Sequence, residues 1–455
     1  MKYISTRNKE KEYNFGEVFI KGLADDGGLY VPKSLKKYSS AELLELKNLN
    51  YNKLSTEIIS QFSSDFISRE ELSSLINKSY STFREKEVIK ISSVGEIKLL
   101  ELFHGPTLAF KDIAMQFIGN LYEYYLSKND KKINIVVATS GDTGAAAIDA
   151  IKGKSNLNIF VLHPNNKISS VQRKIMTTVE EKNVFNIAID GNFDDCQNIV
   201  KQMFSDLEFS KSINMSGVNS INWVRIIAQS VYYFYSYFKL DKENISFSVP
   251  TGNFGDVFAG YLAKKMGLPI NKLIVATNEN DILHRAISKG DYVSREVKET
   301  LSPSMDIQLA SNFERLIYFV NNSDSEITAE IMEKIKQNTY QIDKPSLDII
   351  QKDFLSESCN EQETLSVIEK NYEENNVILD PHTAVGVGAA KKLSFNDCVV
   401  LSTAHPCKFP DAIKNAINKH EKLPEELQHV LDKDENFQVL KNNTEDVKNF
   451  VKSKI

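Results

Sequence analysis

The sequence predicts an α/β fold of two parallel-sheet domains preceded by a helical segment. Three observations carry this prediction. From about residue 130 onward, short apolar runs alternate with helical patterns, as in parallel strands joined by crossover helices and covered on both faces. A chain of 455 residues exceeds what one hydrophobic core ordinarily serves. A composition of 42% hydrophobic and 25% charged residues is that of a soluble globular protein, not a disordered or fibrous one.

Residues 1–95 are rich in Ser, Lys and Glu, with helical spacing over 41–80, and read as an N-terminal helical cap. Next comes a helix carrying Phe110, Ile113, Ala114, Phe117, Leu121 and Tyr124 on one face. Strands are expected at 132–138, 157–162, 184–189, 245–249 and 272–276. Helices are expected at 144–152, 171–179, 194–204, 221–238 and 256–266. Residues 327–374 have charged, helical character, and a last strand at 398–402 rejoins the sheet. Beyond residue 419 the tail is charged and peripheral. These boundaries divide the chain into a cap at 1–95, a smaller α/β domain at 96–235 and a larger one at 236–455.

Charge and cysteine usage narrow the function. A net charge of −6 offers no electrostatic footprint for nucleic acid or an anionic membrane. Residues 1–15 lack the apolar core of a targeting segment. The most apolar stretch, 223–238, is interrupted by Arg225 and Gln229, so no membrane span is expected. Cys196, Cys359, Cys398 and Cys407 are scattered, which points to free thiols in a reducing compartment rather than disulfides or zinc ligands. The expected protein is cytoplasmic, a monomer or homodimer, and acts on a small molecule.

The chemistry centres on Lys111. Gly105-Pro106-Thr107 forms a turn, and Thr107 is placed to cap the helix that follows. Lys111 then falls in the first helical turn, where the helix dipole opposes a second positive charge. An apolar site would depress the amine further, as a Schiff-base lysine requires. A lysine taken alone is by default a solvated surface residue, so the case depends on its surroundings.

Two glycine-rich turns each follow a strand and open a helix: Thr139-Ser140-Gly141-Asp142-Thr143-Gly144 and Thr251-Gly252-Asn253-Phe254-Gly255-Asp256. Unpaired N–H groups at such helix starts make ready anion sites, although Gly, Asn and Asp also simply make good turns. Two such turns point to a ligand with two anionic groups. Neither matches a nucleotide-binding fingerprint, and Gly386-Val387-Gly388 is more in keeping with close helix packing. A third candidate anion site gathers Ser220, Asn222 and Arg225 within about one and a half helical turns. The planar guanidinium suits phosphate oxygens, but alone it also fits the polar face of an aromatic helix.

The motifs HGPTLAFKD (104–112), ATSGDTGAAA (138–147), NSINWVR (219–225), PTGNFGD (250–256), SPSMDIQLASNFERL (302–316) and STAHPCKFP (402–410) occur in that order. Together with YISTRNKEKEYNFGEVFIKGLADDGGLYVP (3–32) they closely resemble threonine synthases of the longer bacterial and fungal form. The resemblance runs from Tyr3 to about Pro410. It implies the tryptophan synthase β-like fold, that of fold-type II pyridoxal-phosphate enzymes. It also implies conversion of O-phospho-L-homoserine and water to L-threonine and phosphate.

By the same resemblance Lys111 would carry pyridoxal phosphate, beside Phe110. The turn of Gly252, Asn253, Phe254 and Gly255, with Asp256, would hold the cofactor phosphate, and Thr403 would face the pyridine nitrogen. Ser140, Gly141, Asp142 and Thr143 would receive the substrate carboxylate, and Ser220, Asn222 and Arg225 the substrate phosphate. No metal is implied, and His382 and His405 read as structural. The alternatives are a related lyase releasing 2-oxobutyrate and a catalytically silent phospho-ligand binder. Two departures from the family pattern stand out: Asn8 where glycine is usual, and Cys407 where alanine is common.

Overall fold

The structure, a computed structural model, describes residues 1–129 and 131–455. Among these, two sheets rich in parallel strands form the frame. One has the strand order Phe354–Ser358, Ile270–Thr277, Ile245–Pro250, Val399–Ser402, Ile97–Glu101, Lys90–Val94, antiparallel only at its last pair. The other is wholly parallel, in the order Gln438–Lys441, Val184–Asp190, Leu157–Pro164, Ile133–Ala138, Met215–Ser216. The central strands are buried on both faces, which explains why Ile133–Ala138 (INIVVA) and Ile245–Pro250 (ISFSVP) show no alternation. Helices Asp142–Ile151, Ser170–Thr177, Phe193–Ser205, Trp223–Leu240 and Gly255–Lys265 fall where the spacing predicts them.

The sheets do not part where the composition changes. Ile97–Glu101 lies in the sheet otherwise built from residues beyond 244, paired in parallel with Val399–Ser402. Conversely, Gln438–Lys441 in the charged tail extends the other sheet beside Val184–Asp190. The tail is therefore not merely peripheral, because helix Thr444–Lys452 buries Val447 and Val451 against helix Phe193–Ser205. Parallel pairing leaves no trace in local composition, so neither crossing is visible in the sequence.

The N-terminal segment is not only helical. Its first strands, Tyr3–Ser5, Asn8–Tyr13 and Tyr30–Pro32, form a small antiparallel sheet. Residues 327–374 likewise contain the edge strand Phe354–Ser358. Asn8 begins a strand outside the left-handed region, and its side chain accepts from the Glu10 amide at 2.9 Å. The position therefore makes no demand for glycine here.

The long helix Trp223–Leu240 is the internal axle, buried on nearly every side. It packs against helices Tyr51–Ser63, Lys111–Asn129 and Gly255–Lys265. That burial explains why its sequence is apolar almost throughout, although among the described residues no helix is long and apolar enough to cross a membrane. Gly386 and Gly388 serve close packing: a Cβ at Gly386 would lie 2.8 Å from Val400 Cγ1, and one at Gly388 would lie 2.7 Å from Cys359 Sγ.

Candidate active site

Parallel strands deliver their loops to one edge, and the site lies there. Strand Ile133–Ala138 ends in the Ser140 turn, Ile245–Pro250 in the Gly252 turn and Val399–Ser402 at Thr403. All three turns line one cavity with Lys111 and Arg225.

Helix Lys111–Asn129 begins at the lysine itself. The turn before it is secured in the opposite sense from the one expected. Thr107 does not cap the helix; instead the Asp112 carboxylate accepts from the Thr107 amide at 2.8 Å and its hydroxyl at 2.5 Å. Leu108 takes φ of 63°, and the Phe110 amide donates to the Thr403 carbonyl at 2.8 Å, which ties the lysine to the end of the sheet.

Lys111 is 7% exposed. Its Nζ lies 3.3 Å from Asp142 Oδ2 and 3.1 Å from Ser304 Oγ. Burial pushes the ammonium pKa down; Asp142 opposes this, while the charges of Lys408 and Arg225 reinforce it. Burial on its own would raise Asp142, but Lys408, Lys111 and His382 outweigh it and hold the carboxyl well below its ordinary range.

Ser304 sits on the short turn Pro303–Met305. Its amide donates to His382 Nε2 at 3.3 Å, and His382 Nδ1 lies 2.9 Å from Asp380 Oδ1. These contacts put the His382 proton on Nδ1. The same Asp380 oxygen caps helix Pro381–Lys392. His405 is a structural residue: its Nδ1 accepts from the Cys407 amide at 3.3 Å, and burial lowers its pKa to about 4. Cys407 is a buried free thiol pushed up to about 12 by burial.

The two glycine-rich turns share one property. Among the described residues, neither helix start is capped by a side chain, so the first amides remain available to a ligand. Gly141 adopts φ of 132°, a conformation that favours glycine, and Phe254 adopts 62°. At Gly252 a Cβ would lie 2.6 Å from the Ser304 carbonyl oxygen, so glycine brings that turn against the Pro303–Met305 turn.

Arg225 is buried, with one weak bond from Nη1 to the Val218 carbonyl at 3.4 Å. Its Nε has no partner among the described residues. Nearby, Asp256 Oδ1 accepts from Tyr232 at 2.5 Å and Tyr233 at 2.9 Å, while Oδ2 is likewise without a partner. A buried guanidinium with spare donors is costly unless something fills the cavity beside it.

Of the predicted residues, Phe110, Lys111, Ser140, Asp142, Thr143, Ser220, Arg225, Gly252, Asn253, Phe254, Gly255, Asp256 and Thr403 line this cavity. Gly141 and Asn222 do not. Gly141 forms the bend behind the turn, and the Asn222 side chain bonds the Phe19 carbonyl and the Val224 amide, both at 3.0 Å. The Asp142 side chain faces Lys111, Lys408 and Gln172 instead of an open anion pocket.

The run 302–316 acquires a role that residue types alone did not reveal. The Asn312 amide and side chain each donate to the Asn253 carbonyl at 3.1 Å, and the side chain also reaches the Ser220 carbonyl at 3.3 Å. Arg315 bonds Asn312, the Ile221 carbonyl and the Tyr30 carbonyl. Glu314 receives Arg7 and Thr6. One helix start thus braces both anion turns against the N-terminal sheet.

Comparison with known proteins agrees with this geometry. Residues 2–80 match the family described as threonine synthase N terminus, 97–328 match pyridoxal-phosphate dependent enzyme, and 383–451 match threonine synthase, C-terminal. The chain is 42% identical to the threonine synthase of Pseudomonas aeruginosa, over 99% of this chain and 98% of that one. It is 44% identical to the threonine synthase of Saccharomyces cerevisiae, over 93% and 92%. The crystal structure of pyridoxal-phosphate-bound threonine synthase from Brucella melitensis superposes with a TM-score of 0.95 at 43% identity, covering 100% of this chain and 99% of that one. A shared fold along the whole chain, carried by this degree of sequence identity, places the chain in the threonine synthase family.

Proposed function

We propose that the protein converts O-phospho-L-homoserine and water to L-threonine and phosphate with pyridoxal phosphate as cofactor. The observation that carries this reading is a single buried cavity holding both a lysine of depressed pKa and an arginine with unused donors. The first suits carbonyl chemistry at an amine, and the second suits a departing phosphate.

The residues present fit the cofactor. Lys111 offers a buried amine, the Gly252 turn offers uncapped amides at a position closed to a Cβ, and Thr403 offers a hydroxyl at a strand end. When bound, pyridoxal phosphate supplies an electron sink for charge developing at the substrate α-carbon. Lys111 Nζ takes the α-proton, its neutral form favoured by burial. Arg225 binds the phosphate oxygens and holds them as they leave. The backbone of the Ser140–Thr143 turn, not the Asp142 side chain, receives the substrate carboxylate. Ser304 orients the lysine amine through its hydroxyl. Thr403 offers the ring nitrogen a neutral hydroxyl where a carboxylate would favour a pyridinium, which suits elimination and β-addition.

The four buried free thiols support a reducing, cytoplasmic setting, and we propose a monomer or homodimer. Arg225→Ala should lower kcat/KM for phosphohomoserine by about 10²–10³-fold, read as phosphate release together with threonine formation. Near-normal turnover would remove Arg225 from the reaction, and 2-oxobutyrate as the main product would favour the lyase reading.

A further inference from the structure

The second lysine at the site, Lys408, belongs to no step above. Its side chain is entirely buried, a position lysine almost never takes unless paired. Its Nζ lies 2.6 Å from Asp142 Oδ1 and donates to the Thr107 carbonyl at 2.8 Å. Gln172 Nε2 donates to the same Asp142 oxygen at 2.9 Å. The other oxygen, Oδ2, faces Lys111 at 3.3 Å and Ser304 at 3.4 Å. One carboxylate therefore lies between two lysines, with a separate oxygen for each.

This division has an electrostatic consequence. A buried carboxylate paired with Lys111 alone would hold that amine as an ammonium, the form that can neither attack a carbonyl nor accept a proton. With Lys408 on the far oxygen, the carboxylate charge is already compensated, and it can orient Lys111 without capturing a proton for it. We propose that Lys408 is a positioning residue that neutralises Asp142 and so keeps the Lys111 amine in its reactive, uncharged form.

The charged groups facing Lys111 from each packed element agree in sign. Lys408 from the strand-end loop and Arg225 from the long helix disfavour the ammonium, and Asp142 from the Ser140 turn favours it. His382, from helix Pro381–Lys392, acts on Asp142. Ser304 is neutral and bonds both partners. The main chain of Lys408 adds a mechanical link, because its carbonyl accepts from Ser169 Oγ at 2.8 Å. The loop is thereby tied to the end of helix Ser170–Thr177 that carries Gln172.

This inference rests on Lys111 being the reactive amine. Its test uses no substrate, so its failure is distinct from failure of the proposed reaction. The full-length protein, freed of cofactor with hydroxylamine, is labelled at trace acylating reagent across a pH series, and modification of Lys111 is read by peptide mass spectrometry. In Lys408→Met the labelling midpoint should move about one to three pH units upward, with Lys408→Arg restoring it toward wild type. In Asp142→Asn, where Lys408 and Arg225 act without a counter-charge, the midpoint should move the other way. Because loss of Lys408 also removes packing, far-UV circular dichroism establishes that each variant is folded. An unchanged midpoint in folded Lys408→Met, or an upward shift in Asp142→Asn, would overturn the proposal. Should Lys408→Met not fold, the Asp142→Asn direction decides alone.

Discussion

Asp256 shows how one buried charge sets a pH dependence. Burial raises its carboxyl to about 6, against the lowering pull of Tyr232, Tyr233 and Arg225. A carboxyl raised in the folded state contributes stability that is complete below its ordinary value of 3.8 and is lost as pH rises through about 6. Asp256→Asn keeps an acceptor for the tyrosines and abolishes this titration. Relative to wild type, the variant should gain stability between about pH 4 and about pH 7, by up to about 3 kcal/mol. Urea unfolding midpoints across that window check this, and a difference independent of pH counts against the account. Lys111 and Arg225 were legible at this scale because each sits in a local pattern, a turn before a helix start. Ser304 and Lys408 were not, although both lie within motifs apparent in the sequence. A serine after proline and a lysine in a loop look ordinary until the fold brings a distant carboxylate beside them.

Elements transmit order to the site through their ends. Asp380 caps helix Pro381–Lys392 and at the same time orients His382, which receives the Ser304 amide. Asp380→Ala should therefore act twice. Loss of the cap should cost about 1–2 kcal/mol of stability. Release of His382 should also lower turnover, since the Ser304 turn loses its anchor near Lys111. Calorimetry and steady-state kinetics separate the two effects, and a stability loss without a kinetic one would restrict Asp380 to the helix. Most strands and helices of the two main sheets were readable from apolar runs and helical spacing, because burial on both faces writes itself into composition. The short N-terminal strands were not: Asn8–Tyr13 reads NKEKEY, exposed at all but its last residue.

At the scale of the whole molecule, the chain repeatedly closes over itself. Strand Ile97–Glu101 joins partners from residues beyond 244, and the tail returns to the sheet containing residues 133–216. That return covers Val447 and Val451, packed with Ile199, Val200 and Met203 of the helix that begins at the cavity-lining Phe193. Val447→Ala should therefore cost about 2 kcal/mol, visible as a lower unfolding midpoint, despite its place in a charged terminal segment. A change within error would mean the tail packs only loosely.

The sequence alone determined the alternation of strand and helix, the two anion-binding turns and the identity of the lysine and arginine. Each of these is written in neighbouring residues. Only the tertiary structure decided which sheet each strand joins, that Asn312 and Arg315 brace both turns, and that Asp142 is shared between Lys111 and Lys408. Those relations join positions as far apart as Asp142 and Lys408, and parallel pairing and buried charge compensation depend on proximity in space, to which local spacing is blind.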